Sequence, residues 1–452
     1  MTNTPTAASG NSVALAAAIE AARWIRSTAQ QTEHGLLWLP DPDQPERTAT
    51  LSAPATIYSG NAGIILFFLE LAHATRDATY LDDAKLGADQ LVATWREVLT
   101  FPAFLDIANL SLTFNTGLSG TAFVLVHVWQ ATQEAKYRDA AWAITQHIVQ
   151  AARPVGTHHE WIGAASAGLG DGAIILYLLW AARFFQDETL LDLATSAGQR
   201  ILEVAEPDPH GGLKWVGFPV ERLGLPPDTY FPNFEFGTAG VVFVLTRLYE
   251  ETKDPHFLAA ARQGAAHVQA IATQQDDAAL LFYRAPDLTD LYYLGYCHGP
   301  VGTARPFYAL YQVTQEPSYL AWTERFARGI LQSGIPEKQT PGLWNVVCQC
   351  CGTTGILDFF LSLWVATKRP EYLAFAQRVA DQTLSRATNL DAKGYRWYQA
   401  WTRVKPNVVS AETGYMIGAA GEGSAFLHLH LAEQGRYAAI LFPDNPFPRH
   451  WS

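Results

Sequence analysis

The sequence predicts an all-α protein, an α/α toroid of about seven helical hairpins with an apolar inner ring and an amphipathic outer ring. Three observations support this class. A glycine step followed by an apolar helical run recurs along the chain, and a second, more polar helical pattern separates the copies. No useful length of sequence alternates with the period of a β-strand. Regular repeats of this size are typical of closed or stacked helical architectures.

The glycine steps predict where the inner helices begin. Each apolar run starts at such a step, and the run at 64–69 (IILFFL) is apolar on all sides, which is typical of a buried helix. Glycine permits the close backbone approach that a tight turn into a helix requires. Residues beside the steps are therefore expected at one shared mouth of the barrel. The seven steps are Gly60–Gly63, Gly117–Gly120, a looser copy at Gly168–Gly172, Gly237–Gly240, Gly299–Gly302, Gly352–Gly355 and Gly418–Gly421.

The intervening helices should form the outer ring. They carry an apolar stripe and a charged face, as in residues 369–381, and most open on an aromatic or leucine anchor. Inner and outer helices together give a unit of about 57 residues. We expect a single domain over residues 1–452, with the repeats between about 57 and 430. The anchors are Tyr80, Tyr137, Leu190, Phe257, Tyr319 and Tyr372.

Composition narrows the classes of function. The net charge of -12 argues against nucleic acid or an anionic membrane surface as the main partner. The N-terminus lacks the pattern of a signal peptide, and the apolar runs are too short for membrane insertion. Four cysteines, three of them in two short motifs, suit metal binding or catalysis in a reducing compartment better than a disulfide framework. We expect a cytoplasmic protein.

The most informative motifs are Cys297-His298-Gly299 and Cys350-Cys351-Gly352. Each leads into a glycine step, so adjacent repeats would place the thiols at neighbouring helix N-termini, where the helix dipole favours thiolate. Zinc is the expected metal because it binds soft thiolates and has no redox chemistry. Three protein ligands and an open position would indicate a catalytic site, whereas four ligands would indicate a structural one.

Cys348 leaves an alternative open. It could act as a fourth ligand that closes the site, although three ligands within four residues would be strained. It could instead pack in the core as a small apolar residue, which we favour. A third interpretation is that none of the four thiols binds metal.

At Tyr-Cys-His-Gly (296–299) and Cys-Cys-Gly (350–352), the sequence resembles the lanthionine synthetase C-like (LanC-like) family. The resemblance runs from about Ile57 to His430 through all seven glycine steps. The family usually shows Trp-Cys-Tyr-Gly and then Cys-His-Gly, and its zinc ligands are the two cysteines and that histidine. The resemblance therefore implies one zinc ion per chain held by Cys297, Cys350 and Cys351, with Cys351 in place of the histidine. Some cyclase domains of the family also use Cys-Cys-Gly.

The resemblance also implies a reaction. In this family zinc holds a peptide cysteine as thiolate, which adds to a dehydrated serine or threonine and closes a thioether ring. A site of three thiolates carries more negative charge than one with a histidine and should make the bound thiolate more nucleophilic. The implied partners are a dehydrated precursor peptide or a small thiol. A separate dehydratase would supply the peptide.

The sequence departs from the family at the acid–base positions. Phe236 stands where the family has a histidine before the fourth step, and Ala165 is our best match for its aspartate before the third. Tyr293 lies near the place of a family arginine. His298 is the candidate for proton transfer, and the alternative is a loop histidine hydrogen-bonded to backbone.

Other polar and aromatic residues have both a functional and a structural interpretation. Glu235 and Asp171 could face the mouth but are more typical of solvated or helix-capping carboxylates. His158-His159-Glu160 looks like a metal cluster, but adjacent histidines point in different directions. Aromatic residues that could line the mouth are Trp161, Tyr230, Phe231, Tyr292, Tyr293, Trp344, Trp397 and Tyr398.

Three functions remain open from the sequence. The first is a zinc-dependent thioether-forming enzyme. The second is a zinc-bearing protein that binds thiols or peptides without catalysis. The third, and most distant, is a carbohydrate-active enzyme built on the same toroid, which would have no use for the clustered thiols.

Overall fold

The computed structural model describes residues 12–45, 53–101, 107–209, 211–436 and 440–448. Within these ranges the chain forms fourteen α-helices and five two-stranded antiparallel sheets. The helices are α1 (Val13–Ser27), α2 (Asn61–Thr75), α3 (Ala78–Thr94), α4 (Leu118–Thr132), α5 (Ala135–Gln150), α6 (Asp171–Phe185), α7 (Glu188–Glu203), α8 (Thr238–Thr252), α9 (Pro255–Ile271), α10 (Pro300–Thr314), α11 (Pro317–Gln332), α12 (Thr353–Thr367), α13 (Pro370–Ser385) and α14 (Ala419–Glu433).

The strands belong to short hairpins in the connections between repeats, and each pairs only with its neighbour along the chain. The pairs are β1 (Gln30–Gln31) with β2 (Leu36–Leu37), β3 (Arg153–Val155) with β4 (His158–Glu160), β5 (Glu206–Pro207) with β6 (Leu213–Lys214), β7 (Thr273–Gln275) with β8 (Ala278–Leu280), and β9 (Gln399–Ala400) with β10 (Val409–Ser410).

The helices form two concentric rings, as the sequence predicts. The even-numbered helices α2 to α14 make the inner ring, in which each contacts the next and α14 contacts α2. The odd-numbered helices α3 to α13 pack outside their inner partners. The seventh outer helix is α1, which packs on α14. The first and last described helices thus close the ring together, a pairing that the repeat pattern did not predict.

Every inner helix begins at a glycine because two backbone segments meet there. The N-cap residues are Gly60, Gly117, Gly170, Gly237, Gly299, Gly352 and Gly418, and all but Gly60 are in extended conformation. A Cβ atom at Gly60 would lie 1.5 Å from the carbonyl oxygen of Pro54, so no larger residue fits. The inner helices are buried over most of their length, and the predicted outer-helix anchors are buried between the rings.

A repeated tryptophan contact ties four outer helices to the segments that follow them. In each case the indole N–H donates to a carbonyl near the end of an outer helix, at 2.8 to 3.0 Å. Trp161 and Trp397 belong to this set, so our expectation that they line the mouth is wrong. The donor and acceptor pairs are Trp38 to Ile25, Trp161 to Ile148, Trp215 to Ile201 and Trp397 to Thr383. No helix among the described residues has the length and apolarity needed to cross a bilayer.

Candidate metal centre

A ring of backbone hydrogen bonds joins the loops that lead into the inner helices. The residues two before each N-cap glycine are Tyr58, Asn115, Gly168, Glu235, Cys297, Cys350 and Met416. Six bonds of one direction connect them, each from a backbone N–H to the carbonyl of the corresponding residue in the next repeat, at 2.8 to 3.3 Å. Cys297 and Cys350 therefore occupy equivalent positions in adjacent repeats. Their side chains therefore start from neighbouring positions in this series of hydrogen-bonded loops.

Three sulfur atoms lie close together at these hydrogen-bonded loops. The Sγ atoms of Cys297, Cys350 and Cys351 all lie within 4.8 Å of one another, the group of possible metal ligands found among the described residues. The Sγ atom of Cys351 is 3.2 Å from that of Cys297 and 3.6 Å from that of Cys350. Tetrahedral zinc with bonds of about 2.3 Å would separate its sulfur ligands by about 3.8 Å. The donor set and its spacing fit one zinc ion.

Gly295 allows the two cysteine loops to approach. A Cβ atom at Gly295 would lie 2.7 Å from the Cα atom of Cys351. The Tyr296 N–H donates to the carbonyl of Cys350 at 2.8 Å, directly beside this contact. Backbone contact between the loops thus sets the distance between their thiols.

The thiols differ in acidity. The pKa of Cys350 is well below its usual value because the thiols of Cys297 and Cys351 and the hydroxyl of Tyr58 donate hydrogen bonds to its sulfur. The bond to the Cys350 sulfur raises the pKa of Cys297, and the bonds to the sulfurs of Cys297 and then Cys350 raise the pKa of Cys351, since each stabilises the protonated donor. Without a cation, the thiolate that we expected at the helix starts is favoured at Cys350 alone.

Cys348 lies outside the group of three sulfur atoms. It is buried, and burial raises the pKa of its thiol, while the backbone N–H groups of Cys351 and Cys350 donate to its sulfur. Gln399 stabilises the backbone at Cys348, because its Oε1 atom accepts hydrogen bonds from the N–H groups of Val347 and Cys348 at 2.8 and 2.9 Å. These contacts favour the packing role for Cys348 over a fourth ligand.

The thiols lie in the wall of a cavity of about 450 Å³ at the predicted mouth. Of the aromatic residues proposed from the sequence, Phe231, Tyr293 and Trp344 line it. Tyr230, Tyr292 and Tyr398 are not among its lining residues, so that expectation is wrong for them. The other aromatic lining residues are Tyr58, Phe236, Tyr283 and Trp401.

His298 lies inside this cavity in an aromatic surround. Its ring centroid is 5.0 Å from those of Phe236 and Tyr283 and 5.5 Å from that of Phe231. Burial lowers the pKa of His298 to about 4, so the imidazole is neutral near pH 7. Its buried Nδ1 atom has no hydrogen-bond partner among the described residues. The backbone bond that we considered as the structural alternative is therefore not made by Nδ1.

Glu235 and Asp171 have different roles from those we favoured. Glu235 lines the cavity and is only 9% exposed, so the expectation of a solvated or capping carboxylate is wrong. Burial, reinforced by the nearby thiol of Cys350, raises its pKa well above the usual value. Asp171 is also buried. Its carboxylate accepts hydrogen bonds from the backbone N–H groups of residues 161–163 at 2.8 to 3.0 Å and so stabilises that loop.

The departures from the family pattern are visible in the structure. Phe236 stacks on Phe218 with centroids 4.8 Å apart and lines the cavity with no group that could transfer a proton. Ala165 is buried and is not a lining residue. Tyr293 receives a hydrogen bond from the guanidinium of Arg403, a cavity residue that the sequence analysis missed. A cation thus reaches this wall from a loop more than a hundred residues away in sequence.

His158, His159 and Glu160 do not form a metal cluster. His159 Nδ1 lies 2.9 Å from the hydroxyl of Ser196, and His158 Nε2 lies 3.3 Å from Glu203. Glu160 pairs with Arg153 and Arg200. The separate partners agree with the interpretation that adjacent histidines point apart.

Comparisons with known proteins found one family model and several similar structures. The sequence matches the family model of lanthionine synthetase C-like proteins over residues 52–442. Nisin cyclase is similar in fold, with a TM-score of 0.60 and 14% identity over 87% of this chain and 91% of its own. An inactive variant of an α-1,6-mannanase from Salegentibacter sp. gives a TM-score of 0.47 at 13% identity, covering 93% of this chain and 99% of its own. No curated protein sequence matches the chain.

The closed ring of helix pairs, with three thiols at its inner-helix starts, defines an α/α toroid with a candidate metal centre. The family match covers well over half of the sequence. The chain belongs to the lanthionine synthetase C-like family.

Proposed function

We propose that this protein is a zinc-dependent enzyme that activates a thiol for addition to a dehydroamino acid, forming a thioether in a modified peptide. The observation that carries the proposal is the convergence of the Cys297, Cys350 and Cys351 sulfur atoms in the wall of an aromatic cavity. Membership of the LanC-like family supports it. The substrates we infer are a dehydrated precursor peptide or a small thiol, with a separate dehydratase as partner and the cytoplasm as location.

Cys297, Cys350 and Cys351 would hold the zinc ion. A zinc ion bound there would supply a Lewis acid that favours the thiolate form of a substrate thiol at neutral pH. Because Cys348 lies outside the group, the chain provides three donors, as catalytic zinc sites do. Tyr58 donates a hydrogen bond to the Cys350 sulfur and withdraws some of its electron density.

The cavity residues would then guide the addition. The substrate sulfur loses its proton and forms a bond to the β-carbon, and the α-carbon gains a proton, so the net change is addition of S–H across the double bond. We assign the proton transfer to His298, because its ring lies in the cavity beside the Cys297 loop and its Nδ1 atom has no other partner. Glu235 is another protic side chain that lines this cavity.

A second function, zinc-dependent binding without catalysis, is favoured by one observation. Phe236 and Ala165 bring no proton donor to the positions where the family has a histidine and an aspartate. In that case the cavity would retain a thiol or peptide without converting it. The carbohydrate-active alternative has weaker support, since glycoside hydrolysis depends on paired carboxyl groups and has no use for clustered thiols.

Turnover separates the two main functions. Purified protein loaded with zinc is incubated with a peptide that contains one cysteine and one dehydroalanine, or with a small thiol and a dehydroalanine peptide, and thioether formation is followed by mass spectrometry after alkylation of free thiols. The enzymatic proposal predicts product above the uncatalysed rate, with loss in Cys351→Ala and retention in Cys348→Ala. Zinc binding with no product above background from either substrate would favour the binding function.

A further inference from the structure

The C-terminal segment 440–448 lies in the lumen of the inner ring. Its side chains and backbone contact four inner helices, α2, α4, α10 and α12. The segment turns within the lumen, since the Asn445 N–H donates to the carbonyl of Phe442 at 3.0 Å. A second cavity of about 70 Å³ is lined by residues of the segment and of the surrounding helices. The contacts are Ile440 with Glu70, Phe442 with Phe123, Asp444 with Arg305 and Phe447 with Phe359.

Asp444 connects this segment to the first cysteine loop. Its Oδ2 atom accepts a hydrogen bond from the Tyr296 hydroxyl at 2.7 Å and an ion pair from Arg305 Nη1 at 2.7 Å. The Arg305 guanidinium also lies 4.6 Å from the centroid of the Tyr296 ring. Tyr296 immediately precedes Cys297. Its side chain is held by Asp444, and its backbone N–H donates to the Cys350 carbonyl.

A second chain of contacts connects the segment to the other cysteine loop. The Ile440 N–H donates to Glu70 Oε1 at 2.9 Å, and the other oxygen of Glu70 lies 2.8 Å from His428 Nε2. His428 Nδ1 lies 2.9 Å from Asp358 Oδ1, and Asp358 Oδ2 accepts from Gln349 Nε2 at 2.6 Å. Gln349 immediately precedes Cys350.

The corresponding loop positions in most of the other repeats are apolar. Tyr296 and Gln349 lie three residues before their N-cap glycines; the same position holds an apolar residue in four other repeats and Tyr415 in the seventh. Polar groups are costly to bury, and a buried ion pair adds little general stability. Polar anchors at these two positions therefore call for a local role. The four apolar residues are Ile57, Phe114, Ala167 and Phe234.

We propose that the lumenal segment 440–448 is a positioning element of the metal centre. Asp444 fixes the Cys297 loop through Tyr296, and the contacts from Ile440 to Gln349 fix the loop of Cys350 and Cys351. Contacts behind metal ligands orient them and tune metal affinity. The inference rests on the proposed function in so far as it concerns zinc. It adds a part of the chain far from the cysteines in sequence to the residues that determine the site.

The test compares Tyr296→Phe and Asp444→Asn with the matched variants Tyr137→Phe and Asp89→Asn. Tyr137 donates to Asp89 at 2.9 Å on the outer helices, so this pair reproduces the chemistry away from the cysteines. Zinc affinity is measured by competition with a chelator, and the thiolate absorption of bound Co²⁺ reports the ligand geometry. In metal-free protein, the alkylation rate of Cys297 is followed by mass spectrometry. Unfolding temperatures identify variants that are merely destabilised.

We expect Tyr296→Phe and Asp444→Asn to weaken zinc binding by roughly tenfold, to change the Co²⁺ spectrum and to speed alkylation of Cys297 severalfold. The double variant should lose no more than the larger single effect, because both act through one contact. The matched variants should behave like the native protein. Native affinity, spectrum and alkylation rate in folded Tyr296→Phe and Asp444→Asn would overturn the inference.

The two levels of proposal can fail separately. If the native chain binds zinc but the variants are unaffected, only the role of the segment is wrong. If the native chain binds no zinc, the proposed function fails, and the alkylation rates still decide the positioning role. Faster alkylation in Tyr296→Phe would support it, and an unchanged rate would exclude it.

Discussion

The rings of His298 and Phe236 lie 5.0 Å apart between centroids, nearly edge to face. Both residues directly precede an N-cap glycine, so they hold the same position in adjacent repeats. Phe236, which stands where the family has an imidazole, thus contacts the imidazole of His298 in the next repeat, and both line the same cavity. A proton-transfer group can therefore be present at this wall although Phe236 replaces the histidine that the LanC-like pattern leads one to expect.

His298→Asn should reduce thioether formation without loss of zinc. General acid–base groups contribute roughly 10²–10⁴-fold to rate, and we expect a decrease in that range. The measurement is turnover of the dehydrated peptide alongside zinc content. His159→Asn is the control, because His159 bonds to Ser196 on an outer helix. Full activity in His298→Asn would remove this histidine from the mechanism.

Tyr58→Phe should make Cys350 less acidic in metal-free protein. The Tyr58 hydroxyl is one of three donors to the Cys350 sulfur, and the two thiols contribute more. We expect the pKa of Cys350 to rise by less than about one unit, the scale of a single hydrogen bond. The pH dependence of Cys350 alkylation measures this. An unchanged profile would show that the hydroxyl does not act on the sulfur.

Gln399→Leu should destabilise the turn that precedes the cysteines. The substitution leaves the buried N–H groups of Val347 and Cys348 without their acceptor, which costs about 1–3 kcal/mol. Denaturant unfolding measures the loss. The control is Gln377→Leu, since Gln377 bonds to Glu433 on the exposed surface. Equal stability in the two variants would contradict the structural role of Gln399.

His428 should make stability depend on pH. Burial alone would lower its pKa, but the charges of Asp358 and Glu70 outweigh this and raise the pKa to about 10. A folded-state pKa above the unfolded value adds stability that is complete below about pH 6.5 and is lost as the pH rises through 10.

The expected result at pH 7 is that His428→Gln lowers the free energy of unfolding by on the order of 3 kcal/mol, because the buried carboxylate of Glu70 and the half-buried one of Asp358 lose their cation. The difference from the native chain should shrink as the pH approaches 10. Unfolding curves across this range test the prediction, with exposed His256→Gln as the control. A difference that does not vary with pH would contradict the assigned charge state.

The sequence predicted the ring because its cause is local. The glycine before each inner helix and the buried anchors of the outer helices are readable patterns, and so are the thiols in two adjacent loops, of which Cys297 and Cys350 hold equivalent positions. The pairing of α1 with α14 was not predictable in this way, because α1 belongs to no repeat. The partners of Glu235, Arg403 and Asp444 depend on contacts across the ring, which spacing along the chain does not reveal. The extent of one domain over residues 1–452 stays a prediction.

The most direct test of the account is the zinc content of purified native protein compared with Cys351→Ala and Cys348→Ala. Because the two cysteines lie in one loop but only Cys351 belongs to the sulfur cluster, the account predicts near one zinc per chain in the native protein and in Cys348→Ala, with a sharp loss in Cys351→Ala. A native chain that binds no zinc, or equal loss in both variants, would contradict the three-thiolate centre.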